Sequence, residues 1–310
     1  MNKMKVIFMG TPEFSANILQ GLVESGYNVV AVVTQPDKKV GRKQEIVHSP
    51  VKQLAQKLQI DVLQPVKIKD EYKMVLDYKP DLIITCAYGQ FIPNVILEFP
   101  MHKCINVHAS LLPKYRGGAP IHKAIINGDQ TTGITIMHMI AKMDAGDILA
   151  QKELKIDLYD TTSTLFEKLS HLGKDLLLEM LPKYLNHEIK PIPQEESLVT
   201  YAYNISKEEE FVSFHRNAFD VYNHIRGLIL WPIGYGSIEE KQIKLHQVEL
   251  TSLSFQQPCG TLIYQDRKLY VQCLDYAVML QKIQVVGKQV VSAMDFYNGI
   301  GRTLVGKQFK

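Results

Sequence analysis

Cysteine is scarce in this chain: Cys86, Cys104, Cys259 and Cys273 are the four among 310 residues. They are scattered and form no C-x-x-C pair. That argues against a disulfide framework or a thiolate zinc site and suits reduced thiols. Long apolar runs are also lacking. None approaches the roughly 18 residues needed to cross a bilayer. The short run Val6–Met9 is too brief for a secretion signal and reads as a buried strand. The expectation is therefore a cytoplasmic protein with no membrane partner. Charge of one sign is missing too. With a net charge of only +3, nucleic-acid binding would have to rest on local basic patches. No H-E-x-x-H or similar spacing occurs, so no metal is expected. No G-x-G-x-x-G follows the first strand. Gly10-Thr11-Pro12-Glu13 leaves no glycines for a pyrophosphate, which argues against a nicotinamide cofactor.

What is present is an ordinary globular composition, 46% hydrophobic and 22% charged, in a length that suits two unequal domains. The first half alternates apolar runs with helical patterns. Strands are expected at Lys5–Met9, Asn28–Val33, Asp81–Cys86 and Cys104–His108. Helices are expected at Phe14–Ser25, from Ser49-Pro50 onward, and over about Asp70–Tyr78. This alternation predicts an α/β fold with a Rossmann-like, doubly wound, mostly parallel sheet. Two further strands, Thr132–Met139 and Ile148–Ile156, flank a turn holding Asp144 and Gly146, and Thr161–Tyr184 reads as one long amphipathic helix. Asn186–Thr200, with Pro191 and Pro193, reads as a boundary. The expected organisation is a catalytic domain over 1–188, a linker over 189–205 and a second domain over 206–310. In that second domain Ser206-Lys207-Glu208-Glu209 predicts the start of a helix, and Asp220–Leu230 predicts another, with Trp231-Pro232 after it as core. Short strands at Lys244–Leu250, Gly260–Tyr264, Lys268–Leu274 and Val278–Val286 predict a small OB-like β-barrel.

The segment with most chemistry is Asn106-Val107-His108-Ala109-Ser110-Leu111-Leu112-Pro113-Lys114-Tyr115-Arg116-Gly117. Asn106 and His108 are two apart on a strand, so they share a face. They stand at its C-terminal end, where parallel sheets gather ligands. Asp144, in a later turn, is a carboxylate that could orient the imidazole. Together the three could serve an acyl transfer, with Asn106 and His108 donating to an oxyanion and Asp144 relaying a proton. A histidine on a strand and an aspartate in a turn are also common structural residues.

These residues resemble the methionyl-tRNA formyltransferase family over nearly the whole chain. Phe8–Phe14 is similar to that family's opening strand and turn, and Asn106–Gly117 to a signature shared by enzymes that use 10-formyltetrahydrofolate. Met143–Asp147 is similar to the segment with the catalytic aspartate, and Gln281–Gly299 to the C-terminal ending. The resemblance implies a formyltransferase fold with Asn106, His108 and Asp144 as catalytic groups. It implies folate contacts from Ser110, Leu111, Leu112 and Pro113, and from the loop carrying Tyr88, Gly89 and Gln90. Gly118, His122 and Ala145 depart from the family pattern without removing a catalytic group.

The implied cosubstrate is 10-formyltetrahydrofolate and the implied acceptor is initiator methionyl-tRNA. An amino sugar nucleotide is the alternative acceptor. Two features favour RNA. Asp37–Lys43 carries Lys38, Lys39, Arg42 and Lys43, a basic loop that could meet phosphates, although composition alone fits ordinary solvated surface equally well. The expected barrel offers Arg226, Lys241, Lys244, Lys268, Lys282 and Lys288, offset by Glu239, Glu240, Asp266 and Asp275. A monomer is expected, since the second domain would be occupied by a large RNA.

Overall fold

The computed structural model describes residues 4–41 and 44–310. Two compact units emerge. The first comprises residues up to Pro120, Thr132–Lys155 and Phe166–Tyr203. The second comprises Ile121–Thr131, Ile156–Leu165 and Asn204–Lys310. The segment expected as a linker is bonded within the first unit rather than free. Ile192 exchanges backbone bonds with Ile148, and Thr200 and Ala202 bond with Arg116. Among the described residues no helix is long and apolar enough to cross a membrane.

The first unit is built on β1 (Val6–Gly10), α1 (Glu13–Glu24), β2 (Val29–Val33), a hairpin of β3 (Lys38–Val40) and β4 (Glu45–Val47), α2 (Pro50–Lys57) and β5 (Asp61–Leu63). It continues with α3 (Ile68–Glu71), α4 (Lys73–Leu76), β6 (Leu82–Cys86), α5 (Asn94–Leu97) and β7 (Cys104–His108). After α6 (Pro120–Ile126), which counts in the second unit from Ile121 on, come β8 (Thr131–His138), β9 (Ile148–Lys155) and α7 (Thr162–Leu185), which counts in the first unit from Phe166 on. Seven strands form one sheet in the order β5-β2-β1-β6-β7-β8-β9. The first five are parallel, and β8 runs antiparallel to β7. Every residue of β1 and β6 is buried, which is why both read as continuous apolar runs rather than alternating ones. Ser49 caps α2 through its hydroxyl, which accepts from Lys52 N at 3.1 Å, and Pro50 opens the helix as expected.

One helical expectation needs correction. The helix read over Asp70–Tyr78 starts earlier and splits at Tyr72 into α3 and α4. Its start is set by Gln90, whose Oε1 accepts from Ile68 N at 2.9 Å. A partner 22 positions away lies outside any local pattern.

The second unit adds α8 (Ala218–Arg226), β10 (Tyr235–Ile238), β11 (Lys241–Leu250), β12 (Leu262–Gln265), β13 (Lys268–Gln272), β14 (Ala277–Val285), β15 (Val291–Ser292) and α9 (Ala293–Asn298). Its sheet runs β10-β11-β14-β13-β12 with β15 on β14, and all its pairs are antiparallel. It forms the antiparallel half-barrel of the expected OB-like domain. Bridges from Phe309 to Ile238 and from Gln308 to Thr261 lay the chain's last residues between the β10 and β12 sides.

Three expectations change in this unit. Ser206 and Glu209 do form the reciprocal capping bonds, Ser206 N to Glu209 Oε2 at 3.0 Å and Glu209 N to Ser206 Oγ at 3.4 Å. No helix follows, because Tyr235 takes the backbone of Glu210 and Val212 into β pairing. Trp231 is 70% exposed and is not core. Positive φ at Leu230 and Ile233 turns the chain sharply there, and Pro232 takes the buried position. Arg226 is buried and donates to Asp157 O, Asp160 O and Asn223 Oδ1, so it is committed inside the unit and unavailable to phosphates.

Candidate active site

Register builds the site. Thr85 on β6 pairs with Asn106 on β7, and His108 pairs with Thr135 on β8. Thr85 Oγ1 donates to Asn106 Oδ1 at 2.7 Å. That bond fixes the amide and leaves its NH2 as the outward donor. His108 is buried, with its Nε2 3.0 Å from Tyr115 O. A carbonyl only accepts, so Nε2 carries the proton of that bond. The other ring nitrogen, Nδ1, faces Asp144 Oδ2 at 3.7 Å. Asn106 and His108 share a face by strand alternation, and the later turn delivers Asp144 to the same place.

The Asp144 turn is held from several sides. Asp144 itself has φ +47°, a left-handed conformation that Asp tolerates better than most residues. Its Oδ2 accepts from Gly117 N at 2.8 Å. Its carbonyl and that of Gly146 each accept from Gln194 Nε2 at 2.8 Å. The oxygen of the same amide accepts from Arg116 Nε at 3.0 Å and Nη2 at 2.8 Å. Arg116 is fully buried, and Glu196 Oε1 supplies its counter-charge at 3.0 Å. The hydrogen bonds from Lys142 and then Arg116 hold the Glu196 carboxyl below its usual range.

Sequence reasoning missed Gln194 and Glu196, because both fall in the stretch read as a linker. The signal was Arg116 itself, whose charge demanded partners once buried.

The loop after β7 is stapled to the neighbouring strands. Thr135 Oγ1 donates to Ser110 O at 2.6 Å and accepts from Leu112 N at 3.0 Å. Gln151 Nε2 donates to Leu112 O at 2.8 Å. Ser110 and Leu112 are buried, and the Ser110 hydroxyl donates to Lys114 O at 2.6 Å. Leu111 and Pro113 remain partly open. A ligand at this rim would therefore meet Leu111, Pro113 and backbone rather than the serine hydroxyl.

Tyr88, Gly89 and Gln90 divide in the same way. The Tyr88 ring is packed in the core, where burial raises its hydroxyl pKa, so its side chain is not a lining group. Its carbonyl is engaged as well, accepting from Thr11 Oγ1 and Gln35 Nε2, both at 3.0 Å. Gly89 lies against the Gln35 side chain. Gln90 ties down Pro65 and Ile68 and lines a cleft of about 400 Å³ with Lys67, Lys69, Phe91, Ile92 and Pro93. Apolar walls beside two lysines suit a ligand with a flat aromatic body and an anionic end.

Lys38 and Lys39 are exposed on β3, while Arg42 and Lys43 lie outside the described residues. The base of that hairpin is clamped through Asp37. Lys52 Nζ stands 2.6 Å away, Gln64 Nε2 3.0 Å and His48 Nδ1 3.0 Å. Hydrogen bonds from Lys52 first, then Gln64, hold the Asp37 carboxyl well below the usual carboxylate range. In the second unit Lys268, Lys282 and Lys288 are exposed, and Lys241 and Lys244 are partly buried. Among the described residues no cluster of His, Cys, Asp and Glu could hold a metal ion.

A family model described as formyl transferase matches residues 3–181, and one described as formyl transferase, C-terminal domain, matches residues 204–301. The methionyl-tRNA formyltransferase of Bacillus mycoides (strain KBAB4) is 48% identical over 300 residues, 96% of each chain. HypX from Aquifex aeolicus superposes with a TM-score of 0.71 at 17% identity, over 98% of this chain and 50% of that one. An N-formyltransferase from Helicobacter canadensis, solved with folinic acid and dTDP-3-aminofucose, gives 0.68 at 19% identity, over 90% and 99%. At such identities these two structures share the fold alone with this chain.

Proposed function

The chain belongs to the methionyl-tRNA formyltransferase family, and from that premise we propose that it moves the formyl group of 10-formyltetrahydrofolate to the amino group of methionyl-initiator tRNA. The observation that carries the assignment of roles is the convergence of Asn106, His108 and Asp144 at the open end of β7, with 3.7 Å between Nδ1 and Oδ2.

The neutral amine attacks the formyl carbon and forms the new C–N bond. The carbonyl oxygen becomes an oxyanion, and the Asn106 NH2, fixed by Thr85, donates to it. The attacking nitrogen loses a proton to the His108–Asp144 pair. Collapse breaks the bond to N10 of the donor, and N10 receives that proton. The proton count closes within the pair, and no covalent enzyme intermediate forms. Gly117 N holds the carboxylate, and Gln194 holds the backbone carbonyls of its turn, during this relay. Lys38 and Lys39, with Arg42 and Lys43, meet phosphates near the acceptor end. We place the enzyme in the cytoplasm as a monomer, where charged tRNA and folate donors meet.

The test offers the purified chain 10-formyltetrahydrofolate with either charged initiator tRNA or a 4-amino sugar nucleotide. Formylation of the tRNA alone is expected. Turnover of the sugar alone would overturn the acceptor. His108→Ala is expected to keep donor binding and lose roughly 100- to 10,000-fold in kcat. A near-normal rate in that variant would remove His108 from the mechanism.

A further inference from the structure

We propose that Tyr201 and Tyr203, held side by side against the loop that fixes Asp144, form a stacking platform for the 3′-terminal nucleobase of the charged RNA. The proposal rests on the acceptor read above. Residues 200–203 are zipped onto the catalytic loop. Tyr115 N donates to Thr200 Oγ1 at 2.9 Å, and Arg116 N to Thr200 O at 2.9 Å. Ala202 N donates to Arg116 O at 2.8 Å, and Ala119 N to Ala202 O at 2.9 Å. Extended backbone sends alternate side chains to opposite faces. Ala202 is fully buried, while Tyr201 and Tyr203 are 46% and 63% exposed. Their rings are parallel to within 1°, with centroids 5.5 Å apart.

Two large rings ordered in the open, on backbone that cannot move freely, mark a surface made to receive something flat. Its position identifies what. Gly117 lies in the same zipper. Its N–H holds Asp144, and a Cβ there would stand 2.6 Å from Ala202 O. The tyrosines are thus fixed to the same small block as the group that takes the amine's proton. In an aminoacylated RNA the reacting amine lies only a few bonds from the terminal ribose. A nucleotide that delivers its amine to Asp144 and His108 therefore brings its own base to this rim. Every base has a π-face, so aromatic side chains hold an unpaired terminal base regardless of its identity.

The test uses the full chain and five variants: Tyr201→Ala, Tyr203→Ala, the double Ala variant, and the two single Phe substitutions. Each Ala variant is expected to raise KM for charged RNA about tenfold while kcat and donor KM stay within about twofold, as expected for loss of one stacking contact. The Phe variants keep the ring and should match the wild type. A second measurement uses uncharged tRNA with and without its 3′-terminal nucleotide. The wild type is expected to bind the complete RNA more tightly, and the double Ala variant to lose that preference, the non-additivity expected of directly interacting partners. Unchanged RNA KM in the Ala variants, a loss that falls on donor KM instead, or a preference that survives in the double variant would each overturn the platform. A wild-type chain that formylates no tRNA defeats the acceptor reading itself, so the two failures are told apart by the wild-type assay.

Discussion

Gln194 is a neutral amide that does the work of two partners. Its oxygen accepts from the buried Arg116 guanidinium, and its nitrogen donates to the carbonyls of Asp144 and Gly146. An amide suits this place because it accepts on one side and donates on the other. Gln194→Ala would leave the Arg116 guanidinium to Glu196 and release the turn that carries Asp144. Unsatisfied buried donors cost roughly 1–3 kcal/mol, and more when charged. The expected outcome is a lower melting temperature together with a fall in kcat. Gln194→Glu separates the two effects. A carboxylate still accepts from Arg116 but cannot donate to the two carbonyls, so folding should survive while kcat falls. Thermal melts and steady-state rates on both variants check this. Unchanged kcat in both would mean that the turn keeps Asp144 in place without help.

At the scale of elements, the turn between β8 and β9 carries the candidate carboxylate, and its close approach to β8 depends on Gly146. A Cβ there would stand 1.9 Å from His138 O, a backbone atom that cannot step aside. Gly146→Ala must therefore move the whole turn. Overpacking of this kind costs about 1–3 kcal/mol. The displacement should carry Asp144 out of reach of His108, so kcat is expected to fall more than stability does. A variant with full activity would sink the claim. The same turn marks how far sequence reasoning reached. β7 was legible to its last residue, Cys104–His108, because Cys104, Ile105 and Val107 mark a short strand whose alternation sets Asn106 and His108 on one face. Asn106, His108 and Asp144 were read from their motifs, and the structure sets His108 Nδ1 3.7 Å from Asp144 Oδ2. The supporting groups were not. Thr85, Thr135 and Gln151 act from neighbouring strands through register, and Gln194 acts from a proline-flanked stretch whose polarity reads as solvent-facing. The helix expected after Ser206 failed for a related reason. Its local capping bonds are real, but β pairing with Tyr235 is a long-range interaction that local propensity does not encode.

At the scale of the molecule, the candidate chemistry belongs to one unit, and the half-barrel belongs to the other, with a separate core. That core depends on the chain's last residues. Phe309 is buried, its ring lies 5.1 Å from that of Phe214, and its backbone bonds to Gly260. Removing a buried phenylalanine costs about 3–5 kcal/mol, against a whole-domain stability of roughly 5–15 kcal/mol. Phe309→Ala should therefore bring the second unit close to unfolding while leaving β1–β9 intact. Asn106, His108, Asp144 and the 110–116 loop lie in the first unit, so donor binding measured by calorimetry is expected to survive. On the proposed acceptor, RNA affinity is expected to fall, because Lys268 and Lys282, offered by the sequence as phosphate contacts, sit on strands of the sheet that loosens. Thermal unfolding followed by calorimetry should then resolve two transitions, with only the earlier one displaced. If the variant lost donor binding and RNA binding together in one shifted transition, the two units would be a single cooperative body, and the division of labour between them would have to be abandoned.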